Sequence, residues 1–369
     1  MVENTREQNG HTRIKVVGVG GGGSNAVARM FRERIPGIEY LVVNTDSQAL
    51  LRCDVPLRIG IGLELTEGRG VGGNPDMGAR AAEESRDDLA EAVRDADMAF
   101  VAVGMGGGTG TGAAPVIAQI IKEAGTLTVG VVTTPFGFEG ARRGRNADEG
   151  IKQLKEHVDT LLVIPNERLH LICEEEITVE NAFKMADDVL RLGVQSIAEL
   201  VTTPGELNLD FADVQSTMRN SGPVWMSMGW GTGENRAKDA AQQAISNPLL
   251  DVTIDGASGV LFNITGGSDL KLSELHEAAE VIQRVVDPDA NIIFGMATDL
   301  KMENEIKLTV VATGFPTPES DVGGDDRVNQ ILRDALTGES TDIDIPPFLR
   351  RLTRAHAASS RSPQSSVTV

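Results

Sequence analysis

Two glycine-rich turns stand about 85 residues apart in this chain, Gly18-Val19-Gly20-Gly21-Gly22-Gly23-Ser24-Asn25 and Gly104-Met105-Gly106-Gly107-Gly108-Thr109-Gly110-Thr111-Gly112, and each joins an apolar, β-branched run to a helical pattern. The same alternation continues around them: strands are expected at 14–19, 40–44, 98–103, 127–132 and 161–164, and helices at 25–34, 77–95, 115–124 and 144–157. Strands joined through helices lie parallel with helices on both faces of the sheet, and a ligand of such a sheet sits at the carboxyl ends of its strands. Both glycine turns fall there, as do Asn44-Thr45-Asp46 and Thr133-Thr134-Pro135. Glycine lets the backbone approach a phosphate and aim N–H groups at it, and a helix opening after the turn adds the positive end of its dipole. Two such cradles imply a ligand with several phosphates. Pro115 is placed in the first turn of the helix that follows, where its missing N–H is tolerated. Residues 60–75 read as a long glycine-rich loop, mobile without a ligand.

Beyond this alternating region a helical pattern runs from 178 to 201, with Phe183, Ala186, Leu190, Val194, Ile197 and Leu200 at spacings of three or four. Helices at 236–246 and 272–285 and strands at 260–265, 292–296 and 306–313 then describe a second, smaller α+β domain. The expected organisation is a disordered N-terminus at 1–12, a parallel-sheet domain at 13–177, a central helix at 178–205, the α+β domain at 206–315, an acidic flexible linker at 316–342 and a terminal segment at 343–369. That last segment opens with an apolar and basic island, Ile343-Asp344-Ile345-Pro346-Pro347-Phe348-Leu349-Arg350-Arg351. With 54 acids against 34 bases and a formal charge of −20, the chain has no general attraction for nucleic acid or anionic lipid. Its two cysteines, Cys53 and Cys173, have no metal-ligand spacing and fit a reducing, cytoplasmic compartment. No apolar run approaches the roughly 20 residues of a membrane span, so direct insertion is not expected.

Four runs, Gly-Gly-Gly-Gly-Ser-Asn-Ala-Val at 20–27, Val-Asn-Thr-Asp at 43–46, Gly-Gly-Gly-Thr-Gly-Thr-Gly at 106–112 and Asn-Leu-Asp-Phe-Ala-Asp-Val at 208–214, together resemble the FtsZ family, the prokaryotic tubulin homologues. The resemblance holds in order and spacing from about 13 to 315 and returns at Asp344-Ile-Pro-Pro-Phe-Leu-Arg-Arg, similar to the family's docking peptide for membrane-tethering proteins. It implies a Rossmann-like GTP-binding domain, a long central helix, a smaller C-terminal domain, and a GTPase that forms head-to-tail filaments at the mid-cell division site. It further implies GTP and GDP as ligands, Mg2+ held through the phosphates and water, no dedicated protein metal ligands, and partners that are other copies of the chain, membrane tethers and division regulators. Carried onto this sequence, Gly21, Gly22, Gly23, Ser24 and Asn25 hold the inner phosphates and Gly107, Gly108, Thr109 and Gly110 the outer ones. Glu139 and Arg143 serve sugar and phosphate, and Asn166 reaches the ribose or base. Phe183 and Asp187, one helical turn apart, are a ring that stacks on the purine and a carboxylate that accepts from the two donors of guanine. Asn208, Asp210 and Asp213 form the catalytic loop that enters the next subunit's site.

The same residues support plainer readings. Gly18-x-Gly20-x-x-Gly23 is also a dinucleotide fingerprint, with Asp46 where a ribose-binding acid belongs; a nicotinamide enzyme would need no second cradle. No GxxxxGK[ST] occurs, which excludes an ordinary P-loop enzyme. Asp210 and Asp213 can be a helix cap and a first-turn acid, and Phe183 can be core. A non-polymerising, regulatory GTP-binding paralogue is the alternative function. Ser24 stands where the family often has asparagine, Trp225 and Trp230 stand in a stretch expected to be small and aliphatic, and 355–369 extend past the docking peptide.

Overall fold

The structure is a computed structural model that describes residues 12–35, 37–171, 178–202, 210–246, 254–299 and 302–315. The chain divides into two units, Met1–Phe315 and Pro316–Val369, and every described residue belongs to the first. The expectations for the N-terminus at 1–11, the linker at 316–342, the tail at 343–369 and Asn208 lie outside the described residues.

Seven strands, β1 Ile14–Val19, β2 Ile38–Asn44, β3 Leu57–Gly60, β4 Met98–Gly104, β5 Leu127–Thr134, β6 Thr160–Pro165 and β7 Gly222–Pro223, form one sheet in the order β3-β2-β1-β4-β5-β6-β7. Every neighbouring pair is parallel. Burial on both faces explains the near-continuous apolar run Met98-Ala-Phe-Val-Ala-Val103. Helices α1 Gly20–Glu33, α2 Ser47–Leu51, α3 Leu63–Thr66, α4 Pro75–Glu84, α5 Arg86–Val93, α6 Thr109–Glu123 and α7 Ala141–His157 connect the strands. The chain begins in the middle of the sheet, runs outward to β3 and returns to lay β4 beside β1, so β1 and β4 flank the switch point.

Four local expectations are corrected. α1 opens at Gly20 instead of residue 25. The expected helix 77–95 is two, α4 and α5, broken at Ser85, whose hydroxyl accepts from Gly62 N–H at 3.2 Å while the Glu84 carboxylate accepts from Glu64 and Leu65 N–H. Pro115 lies inside α6, which starts at Thr109, so it is no first-turn proline. The segment 60–75 holds α3 and packs against the second glycine turn, where a Cβ at Gly108 would meet Val71 Cγ2 at 2.6 Å.

The central helix α8 Val179–Thr202 buries Ala186, Leu190, Val194, Ile197 and Leu200, and the last four join one apolar core shared by both sheets. On one side Gly193 lets it lie close to β5 and β6, since a Cβ there would meet Val131 Cγ1 at 3.0 Å and Leu162 Cδ2 at 3.2 Å. On the other, Ser196 Oγ donates to Met228 Sδ at 3.2 Å and Lys307 pairs with Glu199 at 2.9 Å. After α9 Phe211–Met218 comes the smaller domain: β8 Trp225–Thr232, α10 Arg236–Ile245, β9 Gly259–Gly266, α11 Leu272–Gln283, β10 Asn291–Thr298 and β11 Glu305–Thr313. Its sheet order is β10-β9-β11-β8, with β10 and β9 parallel and the other pairs antiparallel. Trp225 fills its core at 1% exposure, whereas Trp230 is half exposed.

Because Ile197 is fully buried in the core that α8 shares with both sheets, Ile197→Ala should cost about 2–5 kcal/mol. Urea unfolding of the two proteins checks this. A loss below about 1 kcal/mol would mean that α8 does not tie the two sheets together.

Candidate functional site

β1 and β4 run side by side, so the turns that follow them come together although they are far apart in sequence. Gly20 has φ +70°, and a Cβ on it would lie 2.7 Å from Gly110 N; one on Gly22 would lie 3.3 Å from Gly104 Cα. The amino ends of α1 and α6 therefore open side by side, with glycine at the points of contact. Backbone N–H groups of a first helical turn have no partner within their helix, so two such ends make a strong anion site.

A cleft of about 430 Å³ lies over them, lined by Gly21, Gly22 and Asn25 from the first turn and Gly107, Gly108, Thr109 and Gly110 from the second. Glu139, Arg143, Asn166, Phe183 and Asp187 complete the walls. The structure thus brings together twelve of the residues expected from sequence. It does not bring in Gly23 or Ser24. Gly23 packs its backbone on β4, where a Cβ would collide with Ala102 O, and Ser24 is buried and lines a second pocket beside the cleft. Met105, Thr133, Pro135, Ala186 and Leu190 line the cleft as well. Thr133 and Pro135 stand at a strand's carboxyl end, which is the sequence signal for them, and Ala186 and Leu190 share the helical face of Phe183.

Each polar wall residue has a distinct local setting. Asn166 is buried, and its Oδ1 accepts no hydrogen bond. A buried acceptor without a donor is costly, so this oxygen suits a ligand N–H or O–H. Glu139 accepts from Phe136 N–H at 2.9 Å through one oxygen and pairs with Arg143 through the other, which fixes the turn and the cation together. Phe183 is 41% exposed, against the core reading, and meets Phe136 and Phe138 edge to face at 5.7 and 6.1 Å. Its exposed part borders the cleft. Asp187 pairs with Arg29 of α1 at 3.5 Å; burial pushes its carboxyl up to about 6, against the pull of Arg29 and with a further push from Asp188. Beside the outer cradle the hydroxyls of Thr45 and Thr109 are 2.7 Å apart.

Asp46 does not behave as a ribose-binding acid. Its Oδ1 caps α2, accepting from Gln48 and Ala49 N–H at 2.8 and 3.2 Å. Asp210 and Asp213 are exposed and do not line the cleft. Asp210 occupies the cap position of α9, yet its carboxylate makes no capping bond.

Comparison with known proteins agrees with this geometry. The profile of the Tubulin/FtsZ family GTPase domain matches residues 13–174, and that of the FtsZ family C-terminal domain matches 222–316. An empty FtsZ dimer from M. jannaschii is 46% identical with TM-score 0.77, over 82% of this chain and 88% of that one. A point mutant of FtsZ from M. jannaschii is 46% identical with TM-score 0.78, over 83% and 92%. A GTPgS-bound CetZ2 protofilament protein from Haloferax volcanii, at 20% identity and TM-score 0.71 over 88% and 99%, shares the fold.

The orphaned oxygen of Asn166 gives a direct check. Asn166→Ala should weaken guanine-nucleotide binding by about 0.5–1.5 kcal/mol, the worth of one hydrogen bond. A fluorescence titration reads it, and unchanged affinity would show that the oxygen faces no part of the ligand.

Proposed function

The chain belongs to the FtsZ family and is a GTPase, and we propose that it assembles head to tail into filaments that scaffold the cell-division site. The single observation that supports assembly is the separation of binding from the unspent acids. Both glycine turns, Asn166, Phe183 and Asp187 line the cleft, while Asp210 and Asp213 stand exposed outside it, on the far side of α8 in sequence. A contact that joins two different surfaces repeats into an open filament, so one copy's Asp210 meets the next copy's nucleotide.

In this reading Gly21, Gly22, Asn25 and the run Gly107 to Gly110 hold the phosphates by backbone N–H groups, with Thr109 adding a hydroxyl. Arg143 lies beside the phosphates and is fixed there by Glu139. Phe183 stacks on the purine, Asp187 accepts from guanine N1–H and its exocyclic amine, and Asn166 accepts from the ribose or base. Asp210 and Asp213 of the neighbour orient the attacking water, together with Asn208, two residues before Asp210 in sequence; positioning and charge suffice for phosphoryl transfer. Mg2+ entering with the triphosphate supplies charge neutralisation on the outer phosphates, held by them and by water. Gly23 seats α1 on the sheet behind the cleft, and Ser24 of the same phosphate motif stands in the adjoining pocket. The residues 343–369 are the docking segment for a membrane tether, which gives recruitment to the mid-cell cytoplasmic face without insertion; no helix of the described residues is long and apolar enough to cross a membrane.

A shared site makes a specific demand. GTP turnover per molecule should rise with protein concentration above a threshold, and Asp210→Ala should bind GTP yet hydrolyse it very slowly. A Thr109→Ala/Gly110→Ala double variant that has lost GTP still carries a sound Asp210, so mixing the two inactive proteins should restore hydrolysis. Full activity of Asp210→Ala, with turnover flat across dilution, would place the whole site within one chain and end the filament mechanism.

A further inference from the structure

Arg29 does not line the nucleotide cleft. It lines the second pocket, about 260 Å³ in volume, which shares Gly21, Asn25 and Asp187 with the cleft and is also lined by Arg32, Arg52, Cys53 and Asp54. From there its Nε stands 3.5 Å from Asp187 Oδ2 and its NH1 3.4 Å from Asp188 Oδ1. Among the described residues it is the one cation in ion-pair distance of Asp187. Arg32 is bound to Asp54 by two bonds of 2.7 and 3.0 Å, and Arg191 pairs with Glu33 at 3.0 Å and reaches Asp188 at 3.9 Å. Across the cleft, Arg143 is matched by Glu139. The groups around Asp187 are therefore Arg29, Arg32 and Glu33 from α1, Arg52, Cys53 and Asp54 from the segment after α2, Glu139 and Arg143 from the turn before α7 and from α7, and Asp188 and Arg191 from α8.

The chemistry of the base gives this arrangement a consequence. A carboxylate has only acceptors and matches guanine, which presents N1–H and an exocyclic amine side by side. A carboxylic acid has one donor and one acceptor and matches adenine, whose N1 accepts while its exocyclic amine donates. The protonation state of Asp187 thus decides which purine fits, and burial favours the wrong one. We propose that Arg29 is the positioning residue for base choice: it keeps Asp187 in the acceptor-only form and turned toward the cleft, so that guanine is selected and adenine refused. This rests on Asp187 being the group that reads the base. Arg29 acts through Asp187, with which it pairs from outside the lining of the cleft.

The sign of the pH effect follows. GTP binds the ionised form, so its affinity falls as pH drops through the carboxyl's value in the empty site, near 6 with Arg29 in place. Removing Arg29 leaves burial and Asp188 unopposed and moves that fall to higher pH. Removing the charge of Asp188 takes away a like charge and leaves Arg29 to Asp187 alone, which moves it to lower pH. ATP carries the same triphosphate, so the ratio of the two affinities cancels titration of the phosphates.

The test measures binding of GTP and of ATP between pH 5 and 8 for the wild type, Arg29→Gln, Arg29→Lys and Asp188→Asn. The expected result is a wild type that strongly prefers GTP at pH 8, an Arg29→Gln profile displaced upward so that the GTP-to-ATP ratio near pH 6 falls about tenfold, the equivalent of one pKa unit, a smaller displacement for Arg29→Lys, and an Asp188→Asn profile displaced downward. A role in packing alone would not move two variants in opposite directions. Should Arg29→Gln fail to fold, Asp188→Asn decides alone, and a profile unmoved or moved upward overturns the proposal. Profiles of Arg29→Gln and wild type that superimpose overturn it while leaving Asp187 as the reader of guanine. A wild type with equal affinity for GTP and ATP at pH 8 overturns both.

Discussion

Close approach of two backbone turns underlies the rest of this structure. β1 and β4 are hydrogen-bonded neighbours, and the first residues of the helices that follow them would collide if either turn carried side chains at its contact points. Glycine removes the collision. Two helix ends then open onto one cleft, and each brings unpaired N–H groups and a positive dipole end to the same place. A single cradle would serve one or two phosphates; two abutting cradles favour a ligand with several.

The helix α8 converts this binding site into a two-domain molecule. Its first turns carry Phe183 and Asp187 at the base end, and its middle and end are buried between the sheets. A row of polar contacts runs down the same helix: Arg29 to Asp188, Asp188 to Arg191, Arg191 to Gln195 at 2.6 Å, Gln195 to Glu199 at 2.5 Å, and Glu199 to Lys307 of the second sheet. The row links the end of α8 that lines the cleft to the second sheet.

Much of this was legible in the chain. The β-branched runs gave the core strands of the parallel sheet, the two glycine turns gave the floor of the cleft, and the three-and-four spacing gave α8. What was missed has local causes. α1 reaches back to Gly20 because the close packing of Gly20, Gly22 and Gly23 on Gly110, Gly104 and Ala102 outweighs the poor helix propensity of glycine. Pro115 sits within α6 because Gly112 holds the first turn against α4, where a Cβ would collide with Pro75 O, so the helix is fixed before the proline is reached. β8 escaped notice because Gly229 and Gly231 dilute its pattern; both are needed where the backbone of α10 lies on the strand, for a Cβ on either would collide with a carbonyl oxygen of that helix. Gly23 and Ser24 follow the phosphate motif in sequence, yet in a helix that starts at Gly20 the backbone of Gly23 lies on β4 and Ser24 lines the pocket beside the cleft.

The central claim is that the second glycine turn holds phosphate through its backbone, and Gly107 isolates it. A Cβ there meets nothing within 4 Å, so alanine is expected to leave the fold untouched while it adds a methyl group to the lining of the cleft. The measurement is the melting temperature and the GTP affinity of Gly107→Ala, side by side with the wild type. The account predicts an unchanged melting temperature of the nucleotide-free protein and a GTP affinity reduced by about tenfold or more, some 1.4 kcal/mol. An unchanged affinity in a protein that is equally stable would contradict it, for the phosphates would then lie elsewhere.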